Sequence, residues 1–562
     1  MPIIAPKRWS FAEKSVNLRS KTEKEMRKSI ILTAAMSVLL TMTVFAQREN
    51  DMTRLRKLNM ARTAIEALYV DTVNADKLVE DAIRGMLEKL DPHSAYSDPK
   101  ETKEMNEPLN GSFEGIGVQF NMVDDTLLVI QPVSKGPSEK VGIVAGDRIV
   151  AVADTAIAGV KMSKEEIMRR LRGPKGTTAH LKVVRRGISD TLRFDVVRDK
   201  IPVFSIDATY MLRPGIGYIR IGNFSATTYD EFIQSLEKLK QQGMKDLVLD
   251  LQSNGGGYLQ AAVDVAGEFL EHGDLIVYTD GRSVPHRDYK AGTGGAFRQS
   301  TFTFNDPLQA SENRVIVLVD QFSASAAEIV TGAIQDQDRG VVVGRRTFGK
   351  GLVQRPIELP DGSMIRLTVA HYYTPSGRCI QKPYEKGDKK SYDQDIVNRL
   401  KSGELTNEDS IHVADSLRFE TLRLHRTVYG GGGIMPDYFV AQDTAHYTRL
   451  HRELSAKSVI IQQNLHYVDD HRKQLQKKYT TFSDFQQHFT VPQQLIDAII
   501  SEGEKQGIKA KDDDELQKTL PTLTLQLKAL IARDIWDMSE YYAIMNEDNE
   551  LVHKAIQLLN KE

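Results

Sequence analysis

The sequence predicts a multidomain α/β protein. Three observations carry this. Short β-branched runs alternate with amphipathic helices from about residue 201 to 440. A tighter series of strand-like runs, interrupted by one helix, fills residues 112–198. Both ends read as helices. The 562 residues amount to several domains. With 41% hydrophobic and 27% charged residues, the composition is that of a soluble globular protein. Lys plus Arg (74) nearly balances Asp plus Glu (76), and a net charge of −2 gives no reason to expect nucleic acid as a partner.

The first element is a targeting segment within residues 1–46. Ser29–Ala46 is almost wholly apolar or small, follows Arg27 and Lys28, and ends in Val44-Phe45-Ala46. That is the charged, apolar, small-residue order of a secretory signal. The polar stretch before it makes Met26 an alternative start to Met1. A retained membrane anchor is the rival reading, since 18 such residues just reach across a bilayer. Either way the chain is expected in the periplasm or cell envelope. The one cysteine, Cys379, excludes an intrachain disulfide and reads as a buried small hydrophobe rather than a reactive thiol.

Residues 52–110 form the N-terminal helical region. Leu55, Leu58, Ala61, Ile65 and Leu68 recur at helical spacing, as do Leu78, Ala82, Ile83, Met86 and Leu90. The turn Leu90-Asp91-Pro92-His93-Ser94 ends the block. In 112–198 the expected strands are Gly117–Phe120, Thr126–Ile130, Arg148–Val152, Thr178–Val184 and Thr191–Val197. Ser163-Lys164-Glu165-Glu166 reads as a capping box opening a helix with Ile167, Met168 and Leu171 on its apolar face. In the 201–440 core the expected strands are Gly217–Ile221, Asp246–Leu251, Val315–Val319 and Val341–Val343. The expected helices are Tyr229–Gln242, Leu259–Leu270 and Ala326–Gln335. Residues 281–306 and 383–432 read as irregular excursions. Residues 441–562 read as polar and helical, an appendage for docking or dimerisation.

Three segments of the core carry chemistry. In Asp250-Leu251-Gln252-Ser253-Asn254-Gly255-Gly256-Gly257 a strand runs into three glycines, where backbone can approach a ligand and N–H groups can face an anion. No Lys-Ser/Thr follows, so it is not a phosphate loop. In Ser323-Ala324-Ser325-Ala326-Ala327-Glu328 a serine opens a helix. It is either a simple cap or a hydroxyl activated beside the helix's free N–H groups. In Thr347-Phe348-Gly349-Lys350-Gly351 a lysine sits among glycines and apolar residues. A lysine is ordinarily a solvated charge; burial would lower its pKa and make it a base. His371 is the alternative base for a Ser-His arrangement. No HExxH is present and the 13 histidines do not cluster at ligand spacing, so neither metal nor organic cofactor is expected.

These segments, with Gln354, Thr374-Pro375-Ser376-Gly377 and Gly431–Asp437, resemble the C-terminal processing (tail-specific) serine peptidases. Leu90–Ser94 and Gly111–Val118 extend the likeness upstream. The resemblance implies a crotonase/ClpP-like peptidase core over 201–440 and a serine/lysine dyad. Ser325 would be the nucleophile, Lys350 the base, and Gln354 would orient the lysine. The oxyanion hole would be the N–H of Ala326 with that of Gly255 or Gly256. Ala327 and Gln252 depart from the family's commoner serine and arginine without touching the dyad.

Residues 112–198 resemble a PDZ domain. Gly115-Ile116-Gly117-Val118 would cradle a terminal carboxylate, and a tail would pair with the edge strand. Ile167 and Leu171 would form the apolar pocket. The expected partners are proteins or peptides with accessible C-terminal tails; a homodimer is a further expectation. The rival to a peptidase is a catalytically inactive envelope adaptor that binds such tails. It is disfavoured because Ser325 and Lys350 are both present.

Overall fold

The computed structural model describes residues 51–292, 313–443 and 447–560. The targeting segment Ser29–Ala46, and Met1 and Met26, lie outside the described residues. Among those described, no helix is long and apolar enough to cross a membrane.

The chain divides into two units, the first ending at Met86. The first unit holds a helix over 51–68 and most of the helix Ala75–Leu87. The helical spacing is right, but the apolar stripe stays exposed at Leu55, Leu58, Ile65 and Leu68. Leu90 falls beyond the second helix.

In the second unit, the turn at Leu90–Ser94 does not end the helical block. A strand, Ala95–Ser97, and a helix, Pro99–Leu109, follow it. That helix carries a full capping box, Asp98 with Glu101.

The β-rich domain has the expected strands within a few residues. They run in the order Val118–Val123, Thr126–Pro132, Arg148–Val152, Thr178–Val184 and Leu192–Val197. Alternate residues point inward, so Leu127, Val129, Ile149, Leu181 and Val183 form its core. The helix spans Lys164–Leu171 with the Ser163 hydroxyl capping Glu166 N–H at 3.2 Å. Only that half of the predicted box forms, because the Glu166 carboxylate turns to Arg169 and Arg170.

The core sheet has the order Ile206–Arg213, Ile216–Ile221, Asp246–Asp250, Val315–Val319, Val341–Gly344 and Tyr438–Phe439. All neighbours after the first pair are parallel. The three central strands are buried at every residue, as a doubly covered parallel sheet requires. Val315, Val317 and Val319 pack with the helices Thr228–Gln241, Leu259–Gly267 and Ala326–Asp336. Ile316 and Leu318 pack on the other face with Leu551, Val552, Ala555 and Leu559. These belong to the last helix, Glu550–Leu559. The end of the chain therefore completes the core and is not only an appendage. The sequence hides this because the helix lies far from the sheet along the chain.

A second sheet joins Ala95–Ser97, Met364–Tyr373, Leu275–Asp280 and Arg287–Lys290, with Leu352–Glu358 paired to Met364–Tyr373. The strand Arg287–Lys290 lies inside the predicted loop 281–306, of which residues 293–306 lie outside the described residues. The stretch 383–432 likewise holds two short helices, Lys389–Asp393 and Asp395–Lys401, and a two-stranded ladder.

Residues 449–545 are helical as expected and enclose their own apolar core, including Leu454, Val468, Phe485, Ile499 and Leu527. One of these helices, Val459–Lys478, docks on the β-rich domain. Leu465 is buried between Val123 and Leu128. Arg148 pairs with Asp469 at 2.6 Å, and Arg186 with Asp470 at 2.6 Å.

Candidate active site

Asp246–Asp250, Val315–Val319 and Val341–Gly344 are adjacent parallel strands. Their carboxyl ends release the three chemistry-bearing loops side by side, where open parallel sheets bind ligands.

Ser325 sits at the start of the helix Ala326–Asp336 with φ 57° and ψ −114°. That is not the extended backbone of an ordinary cap. Such strained geometry is characteristic of functional turns. Ser323, by contrast, is fully buried and donates to Leu251 O at 2.7 Å, a structural role.

The glycine loop packs directly on this turn. A Cβ at Gly256, whose φ is +99°, would lie 2.7 Å from the Ser325 Cβ and 2.9 Å from the Ala326 nitrogen. Asn254 ties the two loops together. Its side chain accepts from Gly256 N–H at 2.8 Å, and its carbonyl accepts from Ala324 N–H at 2.9 Å. Gly256 N–H is thus committed, whereas Gly255 is exposed and its N–H has no acceptor among the described residues. Ala326 is buried at the helix's first position, where N–H groups have no partner within the helix.

Lys350 is largely buried. Its Nζ donates to Gln354 Oε1 at 3.1 Å, and Gln354 Nε2 donates to His93 O at 2.5 Å. The turn that presents His93 is itself fixed. Asp91 accepts from Thr368 Oγ1 at 2.8 Å and from Ser94 Oγ at 2.5 Å. Burial, reinforced by the Arg366 guanidinium, pushes Lys350 down to about 8; Glu328 and Asp91 oppose this. His93 is pushed down to about 4 by burial and by Lys350, so it is neutral.

Sequence reasoning missed Glu328. Its fully buried carboxylate accepts from Ser325 N–H (2.8 Å), Thr347 Oγ1 (2.5 Å), Gly349 N–H (2.8 Å) and Lys350 N–H (2.9 Å). One acid thereby joins the serine turn to the lysine loop. Burial pushes its pKa up while these donors pull it down. The signal was available: Glu328 stands three residues after Ser325, the spacing of a capping acid. Tyr372 was also missed. Its buried hydroxyl reaches the Ser325 carbonyl at 3.1 Å and the Lys350 carbonyl.

His371, next to Tyr372 on the same strand, points to the opposite face, and its ring lies 3.9 Å from Cys379 Sγ. It is not brought to Ser325. Cys379 is half-buried rather than buried, and desolvation pushes its thiol up. Among the described residues no group of acids, histidines and cysteine forms a metal site.

In the β-rich domain, Val118 lies on the edge strand, with Lys164 Nζ 5.7 Å from the Phe120 ring. Gly115 and Gly117 are buried beside it. Ile116, Ile167 and Leu171 are packed in the domain core, at 2%, 0% and 3% exposure, rather than lining an open pocket.

Comparison with known proteins assigns these parts. Residues 215–389 match peptidase family S41, residues 115–196 a PDZ domain, and residues 23–102 the activating protease CtpB N-terminal domain. Residues 450–537 match a family of unknown function. A carboxy-terminal-processing protease of Bartonella bacilliformis is 34% identical over 368 residues, covering 63% of this chain and 80% of that one. The carboxy-terminal processing protease CtpB of Bacillus subtilis is 33% identical, covering 60% and 68%. Among solved structures, the photosystem II D1 C-terminal processing protease is 31% identical with a TM-score of 0.30, covering 57% of this chain and 89% of that one. By its similarity to these relatives, the chain belongs to the carboxy-terminal processing proteases of peptidase family S41, with a PDZ domain preceding the peptidase core.

Proposed function

We propose that the protein is a serine endopeptidase acting on protein C-terminal tails through a dyad of Ser325 and Lys350. The observation that carries this is the state of Lys350. It is a half-buried lysine pushed down to about 8, held by Gln354 and joined through Glu328 to the serine turn.

Neutral Lys350 takes the Ser325 proton as the hydroxyl oxygen attacks the scissile carbonyl. Negative charge on that oxygen is met by the N–H groups of Ala326 and Gly255. Gly255 is preferred over Gly256 because the latter's N–H is occupied by Asn254. The C–N bond breaks, Lys350 returns the proton to the leaving amine, and an ester on Ser325 remains. Water, losing a proton to Lys350, then attacks the ester carbonyl; the bond to Ser325 Oγ breaks and Lys350 returns the proton to that oxygen. Gln354 keeps the amine aimed.

The PDZ domain supplies tail capture by pairing a peptide with Val118–Phe120 and holding its carboxylate at Gly115–Val118. Since Ile116, Ile167 and Leu171 are packed together, capture requires the strand and helix to part. Ser29–Ala46 supports an envelope location, as a cleaved signal or a retained anchor. The test is cleavage of an unstructured, apolar-tailed protein. Ser325→Ala and Lys350→Ala should each abolish it while the fold survives. Near-normal turnover by Lys350→Ala would sink the dyad.

A further inference from the structure

We infer that Arg366 is a specificity residue on the leaving-group side of the cleft, binding a substrate carboxylate two or three residues beyond the scissile bond. The assignment rests on the Ser325–Lys350 dyad proposed above.

The strand register places it. In the pairing of Leu352–Glu358 with Met364–Tyr373, Gln354 lies opposite Thr368 and Pro356 opposite Arg366. Residues opposite one another, and residues two apart along a strand, share a face. Gln354 contacts Lys350 Nζ and Thr368 contacts Asp91, so their face is the one that meets the cleft. Arg366 is the next side chain along that face. Its charge is felt at Lys350, where it is the second cause of the lowered pKa.

Arg366 also lacks what the cations packed on the lysine loop have. Lys382 pairs with Asp395 at 3.1 Å, and Arg346 and Arg399 both hold Glu404 at 2.7 Å. Among the described residues Arg366 has no carboxylate, and its buried Nε has no hydrogen-bond partner. A guanidinium in that condition is matched by a bidentate carboxylate.

The chemistry sets direction and distance. Lys350 hands its proton to the leaving amine, so groups beyond Lys350 from Ser325 face the departing segment. Two residues of strand span about 7 Å from Thr368 to Arg366, and an extended peptide advances about 3.4 Å per residue. A carboxylate at Arg366 therefore belongs to a short departing tail, either as the chain terminus or as an acidic side chain.

The test uses the full-length enzyme and one peptide series whose scissile bond is followed by three residues. The series ends in a free acid, in an amide, or in an amide whose last residue is Asp. The wild type should prefer the free acid over the plain amide by roughly ten- to hundredfold in kcat/KM, mostly through KM. Recovery by the Asp amide would assign acidic side chains as well; its absence would restrict the site to chain termini. Arg366→Gln should erase the preference, and Arg366→Lys, which keeps charge but not the planar fork, should retain part of it. An undiminished preference in both variants would overturn the role of Arg366 and assign the selectivity to the PDZ domain. Turnover persisting in Ser325→Ala would instead overturn the dyad, and this assignment with it.

Discussion

The backbone N–H groups of Ser325 and Lys350 donate to the same oxygen, Oε2 of Glu328, at 2.8 and 2.9 Å. The serine turn and the lysine loop leave neighbouring strands, and a single buried acid fixes their spacing. Glu328→Ala would strand several buried donors, costing about 3 kcal/mol or more of stability. We expect a lower melting temperature and a kcat loss larger than any change in KM. Unchanged kcat in folded Glu328→Ala would refute the positioning role.

Lys350 predicts a pH dependence with a definite sign. Its folded pKa, about 8, lies below the ordinary value of 10.5, so the unfolded chain binds more protons between those limits. Stability should therefore rise with pH across that window. The groups that bear on it are Arg366, Glu328 and Asp91. Activity should rise through about pH 8 as the amine becomes neutral. Lys350→Met removes the buried charge and should stabilise the fold at pH 7 by up to about 3 kcal/mol. That gain should fade toward pH 10.5, as thermal melts across pH would show.

Gly256→Ala places a methyl group against Ser325 at a backbone angle that alanine resists. Activity should drop at least about a hundredfold, with a stability loss of about 1–3 kcal/mol. Gly255→Ala, with open space at its Cβ, should be far milder. Steady-state kinetics of the two variants would compare them directly.

The ion pair between Arg148 and Asp469, beside the Leu465 plug, fastens the PDZ domain to the helix Val459–Lys478. Asp469→Arg should weaken that docking by about 1–3 kcal/mol, and adding Arg148→Asp should restore most of it. Hydrogen exchange in Val123–Leu128 reads both states. No recovery in the double variant would mean that the pair is incidental.

What the sequence made legible follows the physics of local signals. The central strands are continuous apolar runs, and the expected and observed bounds agree within a few residues. Ser325, Lys350 and Gln354 stood in recognisable motifs, and Lys350 and Gln354 are in contact. Glu328 passed unread because an acid in a helix's first turn looks like a cap. Tyr372 passed unread because its role depends on which face of a strand it occupies. That Gly256 N–H is committed depends on one hydrogen bond, from that N–H to Asn254 Oδ1, which no spacing reveals. The half-formed box at Ser163 failed because two arginines compete for Glu166.

Leu551, Val552, Ala555 and Leu559 cover the second face of the core sheet. During synthesis these residues emerge after all three loops of the cleft. Until they arrive, the apolar face that holds Val248, Ile316 and Leu318 lacks part of its cover against water. The loops of the cleft thus precede along the chain the helix Glu550–Leu559 that backs their sheet, and their alignment is tied to a segment remote from them in sequence.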